Sequence, residues 1–297
     1  MKYMVFTDSD LDGAVSYLVF RWFHPTTTID LVTTQVTNFR EDYTKWLSKT
    51  DPKQYDKIFI LDLDVGEQKD LIDKPNFFII DHHKTHVEAG LYKEATAVVK
   101  EYTSACKMAY KTFNKLYDTD LNDNQKMLIA LGDDYDSYTH KVPESKKLNI
   151  VYWNTQNRFE AFCKNFARGY FGLTLQQENM VQLYLLELED IKATMKVYYT
   201  EVNIQDKPTK IISTFANKAI NDVADILFNE YNADIAIVVN LGSGRVSFRR
   251  ANKCEHVDLL KFVERVCDGE GGGHEYAAGG TINDTFIEFT KCLKEYE

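Results

Sequence analysis

Short apolar runs that empty directly into carboxylates or imidazoles constrain the fold of this chain more than any other feature. Residues Tyr3-Met4-Val5-Phe6-Thr7 lead into Asp8-Ser9-Asp10-Leu11-Asp12-Gly13. Lys57-Ile58-Phe59-Ile60-Leu61 leads into Asp62-Leu63-Asp64, and Phe77-Phe78-Ile79-Ile80 into Asp81-His82-His83. Unbroken apolar runs of this length read as strands buried on both faces. A further apolar stretch, Met127 to Leu131, ends in Gly132-Asp133-Asp134-Tyr135-Asp136. An open α/β sheet places its ligands outside the carboxyl ends of its strands, so these clusters are site candidates.

Up to about residue 150 the runs alternate with helical patterns. Strands are expected near 2–7, 29–34, 57–62 and 77–80, and helices near 11–23, 39–49 and 104–117, with Thr103 or Ser104 as N-cap of the last. That order predicts an α/β fold with a mostly parallel N-terminal sheet flanked by helices. From Gln176, Met180, Tyr184, Leu188, Ile191 and Met195 recur every three or four residues, one apolar stripe on a long helix. After Pro208 a smaller α/β domain is expected, with strands at 211–214, 235–239 and 246–249, a helix over 218–231, and a hairpin turn at Gly242-Ser243-Gly244. The implied domains are 1–175, a connecting helix over 176–205, and 206–297.

A chain of 297 residues, 44% hydrophobic, has room for two ordinary cores. It has no apolar stretch of about 18 residues, so no membrane is expected as partner. The N-terminus enters a strand with no signal-like segment before it, which makes the cytoplasm the expected location. Cys106, Cys163, Cys254, Cys267 and Cys292 are widely spaced and read as reduced, mostly buried residues. His24, His86, His140 and His256 have no partner motif and read as packing or surface residues, and Ser9 as a loop or capping residue. The net charge of −10 argues against sequence-independent binding of long nucleic acid, but not against a short nucleotide.

Crowded carboxylates repel, and their pKa values rise unless a cation is present. An oxygen-rich set with imidazoles and no thiolates suits two divalent cations, Mn²⁺ or Mg²⁺ with Zn²⁺ or Fe²⁺ as alternatives, and Mn²⁺ is the first expectation. Such a pair lowers the pKa of a water and steadies the attacking and leaving oxygens of a phosphoryl displacement.

Asp10-Leu11-Asp12-Gly13, Asp62, Asp81-His82-His83, Asp134 and Gly271-Gly272-Gly273-His274-Glu275-Tyr276-Ala277-Ala278-Gly279 resemble, in order, the motifs of the DHH phosphoesterase superfamily. The last is similar to the glycine-rich signature of its associated C-terminal DHHA1 domain. The resemblance implies that Asp8 and Asp10 belong to one ion and Asp12 to the other. Asp62 would bridge them, and His82 and Asp134 would complete the second ion. It implies catalytic roles for His83, facing the phosphate, and for Asp81, which holds the imidazoles. Asp64 could replace Asp62, and Asp133 or Asp136 could replace Asp134. Phe6 or Thr7 stands where other branches begin the site with His, which turns the resemblance toward the DxDxDG exonuclease branch.

In the C-terminal part, Gly271, Gly272, Gly273 and His274 read as a loop with accessible amides for the substrate. Strand alternation places Arg249 opposite Arg250, with Arg249 as a phosphate contact. The expected activity is metal-dependent hydrolysis of phosphodiesters in short single-stranded oligonucleotides or small nucleotides, by a monomer or homodimer. Alternatives are a linear or cyclic dinucleotide or a 3′-phosphonucleotide as substrate, or a catalytically idle nucleotide-binding scaffold.

Overall fold

The computed structural model describes residues 1–267, 271–273 and 276–281. It divides into two compact units, Met1–Val181 and Gln182–Glu297. The first runs β1 (Lys2–Asp8), α1 (Leu11–Phe23), β2 (Thr28–Thr34), α2 (Phe39–Leu47), β3 (Lys57–Leu61), α3 (Lys69–Ile72), β4 (Phe77–Asp81), α4 (Lys84–Glu88) and β5 (Thr96–Val99). Helices α5 (Ala105–Tyr117), α6 (Asp123–Asp136), α7 (Pro143–Asn154) and α8 (Arg158–Asn165) follow, and α9 (Leu175–Thr194) carries the boundary between the units.

The five strands form one sheet in the order β2-β1-β3-β4-β5, parallel throughout. Alternate residues face two cores. Tyr3, Val5, Phe59, Leu61, Phe78 and Ile80 join the core built with α1, α5 and α6. Met4, Phe6, Ile58, Ile60, Phe77 and Ile79 pack with Phe39, Tyr43 and Trp46 of α2 on the other face. Burial on both sides is the reason these strands read as continuous apolar runs.

The turn from β1 into α1 is tight. Asp10 caps the helix, its Oδ1 accepting from the Gly13 amide at 2.9 Å, and Thr7 Oγ1 donates to the Gly13 carbonyl at 3.0 Å. A Cβ on Gly13 would lie 2.3 Å from the Asp8 carbonyl oxygen, so only glycine allows this approach. Ser104 caps α5. Helix α8 and the end of α7 occupy residues 151–175, whose aromatic composition hid the helical period.

The second unit is a six-stranded mixed sheet, β10-β11-β9-β8-β7-β6. Its strands are β6 (Tyr198–Ile204), β7 (Lys207–Phe215), β8 (Ile235–Asn240), β9 (Arg245–Arg250), β10 (Gly271–Gly273) and β11 (Ala277–Thr281), with helices α10 (Ile220–Tyr231) and α11 (Leu259–Val266). Among the described residues only β7 and β8 of this sheet pair in parallel. The helix expected over 176–205 stops at Thr194. Residues 198–204 instead pair with β7, as β-branched and aromatic residues such as Tyr198, Tyr199, Thr200 and Val202 favour.

Candidate metal centre

Strands β1, β3 and β4 are neighbours, so their carboxyl ends bring Asp8, Asp62 and Asp81 to one edge of the sheet. Asp62 leaves β3 in the left-handed region, at φ 55°, with its amide bonded to the Ile80 carbonyl at 2.9 Å. A non-glycine residue held there is strained, and aspartate is among the few that tolerate it.

His82 stands at the centre of the cluster. Its Nε2 lies 3.5 Å from Asp62 Oδ1, 3.5 Å from Asp136 Oδ2 and 3.8 Å from Asp12 Oδ2. Its Nδ1 donates to the Tyr102 carbonyl at 3.3 Å, which turns the Nε2 lone pair toward the carboxylates. Asp12 is anchored from behind by the first turn of α5, accepting from the amides of Ala105 at 2.6 Å and Cys106 at 3.0 Å. Asp62, His82 and His83 form one group whose donor atoms could hold an ion, and Asp12, His82 and Asp136 form another.

Electrostatically the cluster is unstable on its own. Burial, and then the neighbouring Asp10, push Asp8 up to about 7. Burial and Asp12 raise Asp10; burial, Asp12 and Asp10 drive both Asp62 and Asp136 well above the ordinary carboxylate range. Buried, mutually repelling oxygens around an imidazole lone pair fit divalent cations, which would offset the charge.

Asp81 bridges two imidazoles, His83 and His86. Its Oδ1 meets His83 Nδ1 at 2.8 Å and its Oδ2 meets His86 Nδ1 at 2.7 Å. The Tyr92 hydroxyl lies 2.6 Å from His86 Nε2, and burial followed by Asp81 raises the pKa of that phenol, so the hydroxyl donates to the ring. Burial opposes charge on His83, but Asp81 overrides it and holds the imidazole at about 10. Asp81 itself is buried, yet the two imidazoles hold it well below the usual carboxylate range. His86 is therefore fully buried in a polar network and not a plain packing residue. Its spacing of three from His83, across the first turn of α4, was the available signal.

Asp136, and not Asp134, reaches the cluster. Both oxygens of Asp134 are used by the turn after α6. Oδ1 accepts from Thr139 Oγ1 at 2.6 Å and the Lys141 amide at 2.9 Å; Oδ2 accepts from the Val142 amide at 3.1 Å and Ser145 Oγ at 2.6 Å. Burial would raise Asp134, but these donors hold it at about 2. Asp133 points a third way, to Ser104 at 2.8 Å and to Lys107 Nζ at 2.6 Å. Asp64 accepts from Thr85 and lies with Asp81 and His86, outside the His82 group.

In the second unit, Arg249 and Arg250 do face opposite ways. Arg250 is buried, donating to the Cys254 carbonyl at 2.8 Å. Arg249 donates to the Phe248 carbonyl at 2.8 Å and to Asn221 Oδ1 at 2.6 Å. Gly271, Gly272 and Gly273 form no loop; they are the edge strand β10, paired with β11. A Cβ on Gly271 would lie 2.4 Å from Val263 Cγ1, so close packing on α11 accounts for that glycine. His274 lies outside the described residues.

Fold and site together define a two-domain α/β protein with a carboxylate–imidazole centre at the carboxyl edge of a parallel sheet. Residues 207–296 match the DHHA1 domain family. The chain is similar to the manganese-bound exonuclease RecJ, with a TM-score of 0.59, 13% identity, and coverage of 98% of this chain and 88% of that one. It is similar to the pGpG-specific phosphodiesterase PggH of Vibrio cholerae, with a TM-score of 0.55, 14% identity, and coverage of 99% and 98%. Against RecJ of Thermus thermophilus in complex with Mn²⁺ the TM-score is 0.57 at 13% identity, covering 99% of this chain but 52% of that one. No curated protein matches the sequence. Residues 207–296 thus form a DHHA1 domain, and the chain as a whole shares its fold with RecJ and PggH. No helix among the described residues is long and apolar enough to cross a membrane.

Two predictions follow from this geometry. Asp134→Ala leaves the buried Ser145 hydroxyl and three part-buried donors without their acceptor and lowers the unfolding free energy by about 2–3 kcal/mol. Asp136→Asn removes a repulsion with Asp12 and Asp10, so the metal-free protein melts about 2–4 °C higher, equivalent to ~1 kcal/mol in a domain of this size. Thermal melts of both variants check this; the reverse order would return the site to Asp134. The second prediction concerns pH. Carboxylates with raised folded pKa values hold more protons folded than unfolded, so their contribution declines as pH rises through the folded values. His83, also raised, acts in the same direction toward its value of about 10. His24, lowered by burial, opposes them near its ordinary range. With four carboxylates on the other side, the metal-free protein loses stability between about pH 5 and 8, and Mn²⁺ removes that loss. Denaturant midpoints across the range, with and without Mn²⁺, are the check.

Proposed function

We propose that the chain is a metal-dependent phosphodiesterase acting on short single-stranded oligonucleotides or small nucleotides. One observation supports this above the rest: carboxylates from three separate segments surround one imidazole nitrogen at the edge of the sheet. Asp8, Asp10, Asp12, Asp62, His82 and Asp136 would hold the ions. When bound, these supply Lewis-acid polarisation of a phosphoryl oxygen and acidify a water.

The chain's own residues do the positioning. Asp12 is fixed by α5 and His82 by the Tyr102 carbonyl, so neither has to reorganise as charge develops. His83, kept cationic by Asp81, is suited to hold a phosphate oxygen, while His86 and Tyr92 keep Asp81 from turning away. The net charge of −10 weighs against grip on a long duplex and favours a short ligand. Arg249 remains a proposed phosphate contact in the C-terminal domain, one that must exchange its bond to Asn221 for the substrate.

A labelled substrate panel with Mn²⁺ tests the reading, running from a 3′-phosphorylated mononucleotide through linear and cyclic dinucleotides to a long single strand. Cleavage concentrated on the short members, and reduced to background by Asp62→Ala, is expected. Cleavage of none, or full activity in Asp62→Ala, contradicts it.

A further inference from the structure

The loop that carries Asp8 and Asp10 is held from the helical layer as well as from the sheet. The Ser9 carbonyl, between the two aspartates, accepts from the Tyr152 hydroxyl at 2.6 Å, and Arg158 Nε approaches it at 3.5 Å. Tyr152 is fully buried near the end of α7. Its neighbour Trp153 is 47% exposed. The two rings meet edge to face, with centroids 5.7 Å apart at 88°. Arg158, the first residue of α8, lays its guanidinium carbon 4.2 Å from the indole centroid and 5.9 Å from the Tyr152 ring.

An exposed tryptophan alone needs no explanation. This one is orientated by a guanidinium on its face and a buried tyrosine at its edge, beside the loop that presents Asp8 and Asp10. Arg158 forms no ion pair among the described residues, although it sits next to that acidic loop. A fixed cation is what a phosphate would need in order to approach so negative a cluster. The face of an indole is what an unpaired base stacks on, whatever its sequence.

We propose that Trp153 and Arg158 form a subsite for a single-stranded nucleotide, with the base stacked on the indole and the adjoining phosphate met by the guanidinium. The subsite rests on the phosphodiesterase reading for the position of the scissile bond. It lies wholly within the N-terminal domain. It gives that domain a grip on nucleotides that depends on the presence of a base and not on its identity. The platform is rigid before binding, because α7, α8 and the Ser9 loop each hold one part of it, so little ordering entropy is lost when a base arrives.

The test uses the full chain loaded with Mn²⁺ and compares a dinucleotide with the same dinucleotide carrying an abasic residue. Trp153→Ala is expected to raise KM for the base-bearing substrate about tenfold. It should affect KM more than kcat, and should bring the two substrates to the same KM. Arg158→Lys, which keeps the charge and loses the planar stack, is expected to fall between wild type and Trp153→Ala. Wild-type KM values in both variants overturn the proposal. A second readout does not depend on turnover: the dinucleotide quenches tryptophan fluorescence in wild type, and Trp153→Phe abolishes the quenching while Trp22 and Trp46 remain. Quenching that depends on Trp153, without cleavage, supports the subsite and contradicts the phosphodiesterase reading. Cleavage with no effect of either variant and no quenching sinks the subsite alone. Absence of both cleavage and quenching sinks both.

Discussion

Repulsion among carboxylates that a parallel sheet forces to converge is the constraint on which the rest of the N-terminal domain depends. Strands β1, β3 and β4 must pair in that order to bury two apolar cores, and their carboxyl ends then place Asp8, Asp62 and Asp81 side by side. Helices α1 and α6 add Asp12 and Asp136 to the same edge. The surrounding structure restrains this group. The amides of α5 hold Asp12, the left-handed turn fixes Asp62, and the Tyr102 carbonyl aims His82. The destabilisation is local, and a site already free of repulsion would have less to gain from a cation.

Asp81 shows how closely two kinds of carboxylate can sit. It ends β4, yet it is held far below the ordinary range by two imidazoles, while Asp62, just past the adjacent strand end, is driven far above it. The difference lies in the partners, because both residues are almost completely buried. Neighbouring strand ends therefore carry opposite electrostatic demands. One gathers negative charge that a cation would offset, and the other stabilises a positive imidazole.

The strands were legible because parallel strands buried on both faces leave unbroken apolar runs, and the candidate site's acidic cluster was legible because those runs end in acids. Choice among the aspartates of α6 was not. Positions 133, 134 and 136 project from a helix in three directions, and only tertiary packing decides which one meets His82. The network from His86 to Tyr92 was hidden for a similar reason, since no pattern in the chain announces that a half-buried tyrosine will bond an imidazole. Glycines 271 to 273 misled in the other direction. A run that suggests a loop pairs as an edge strand, and at Gly271 the demand is for space against Val263. The Trp153–Arg158 pair, at the end of α7 and the start of α8, arises from a stretch whose aromatic residues gave no clean period.

The most direct test of the central claim is calorimetric titration of Mn²⁺ into metal-free protein near pH 6.5, repeated in buffers of different ionisation enthalpy so that proton exchange is counted. Carboxylates held partly protonated by burial and mutual repulsion must release protons when cations take their place. Binding coupled to proton release in the wild type, and lost in Asp136→Asn but kept in Asp134→Asn, is the predicted result. Binding without proton release, or binding that survives Asp136→Asn unchanged, would contradict the account.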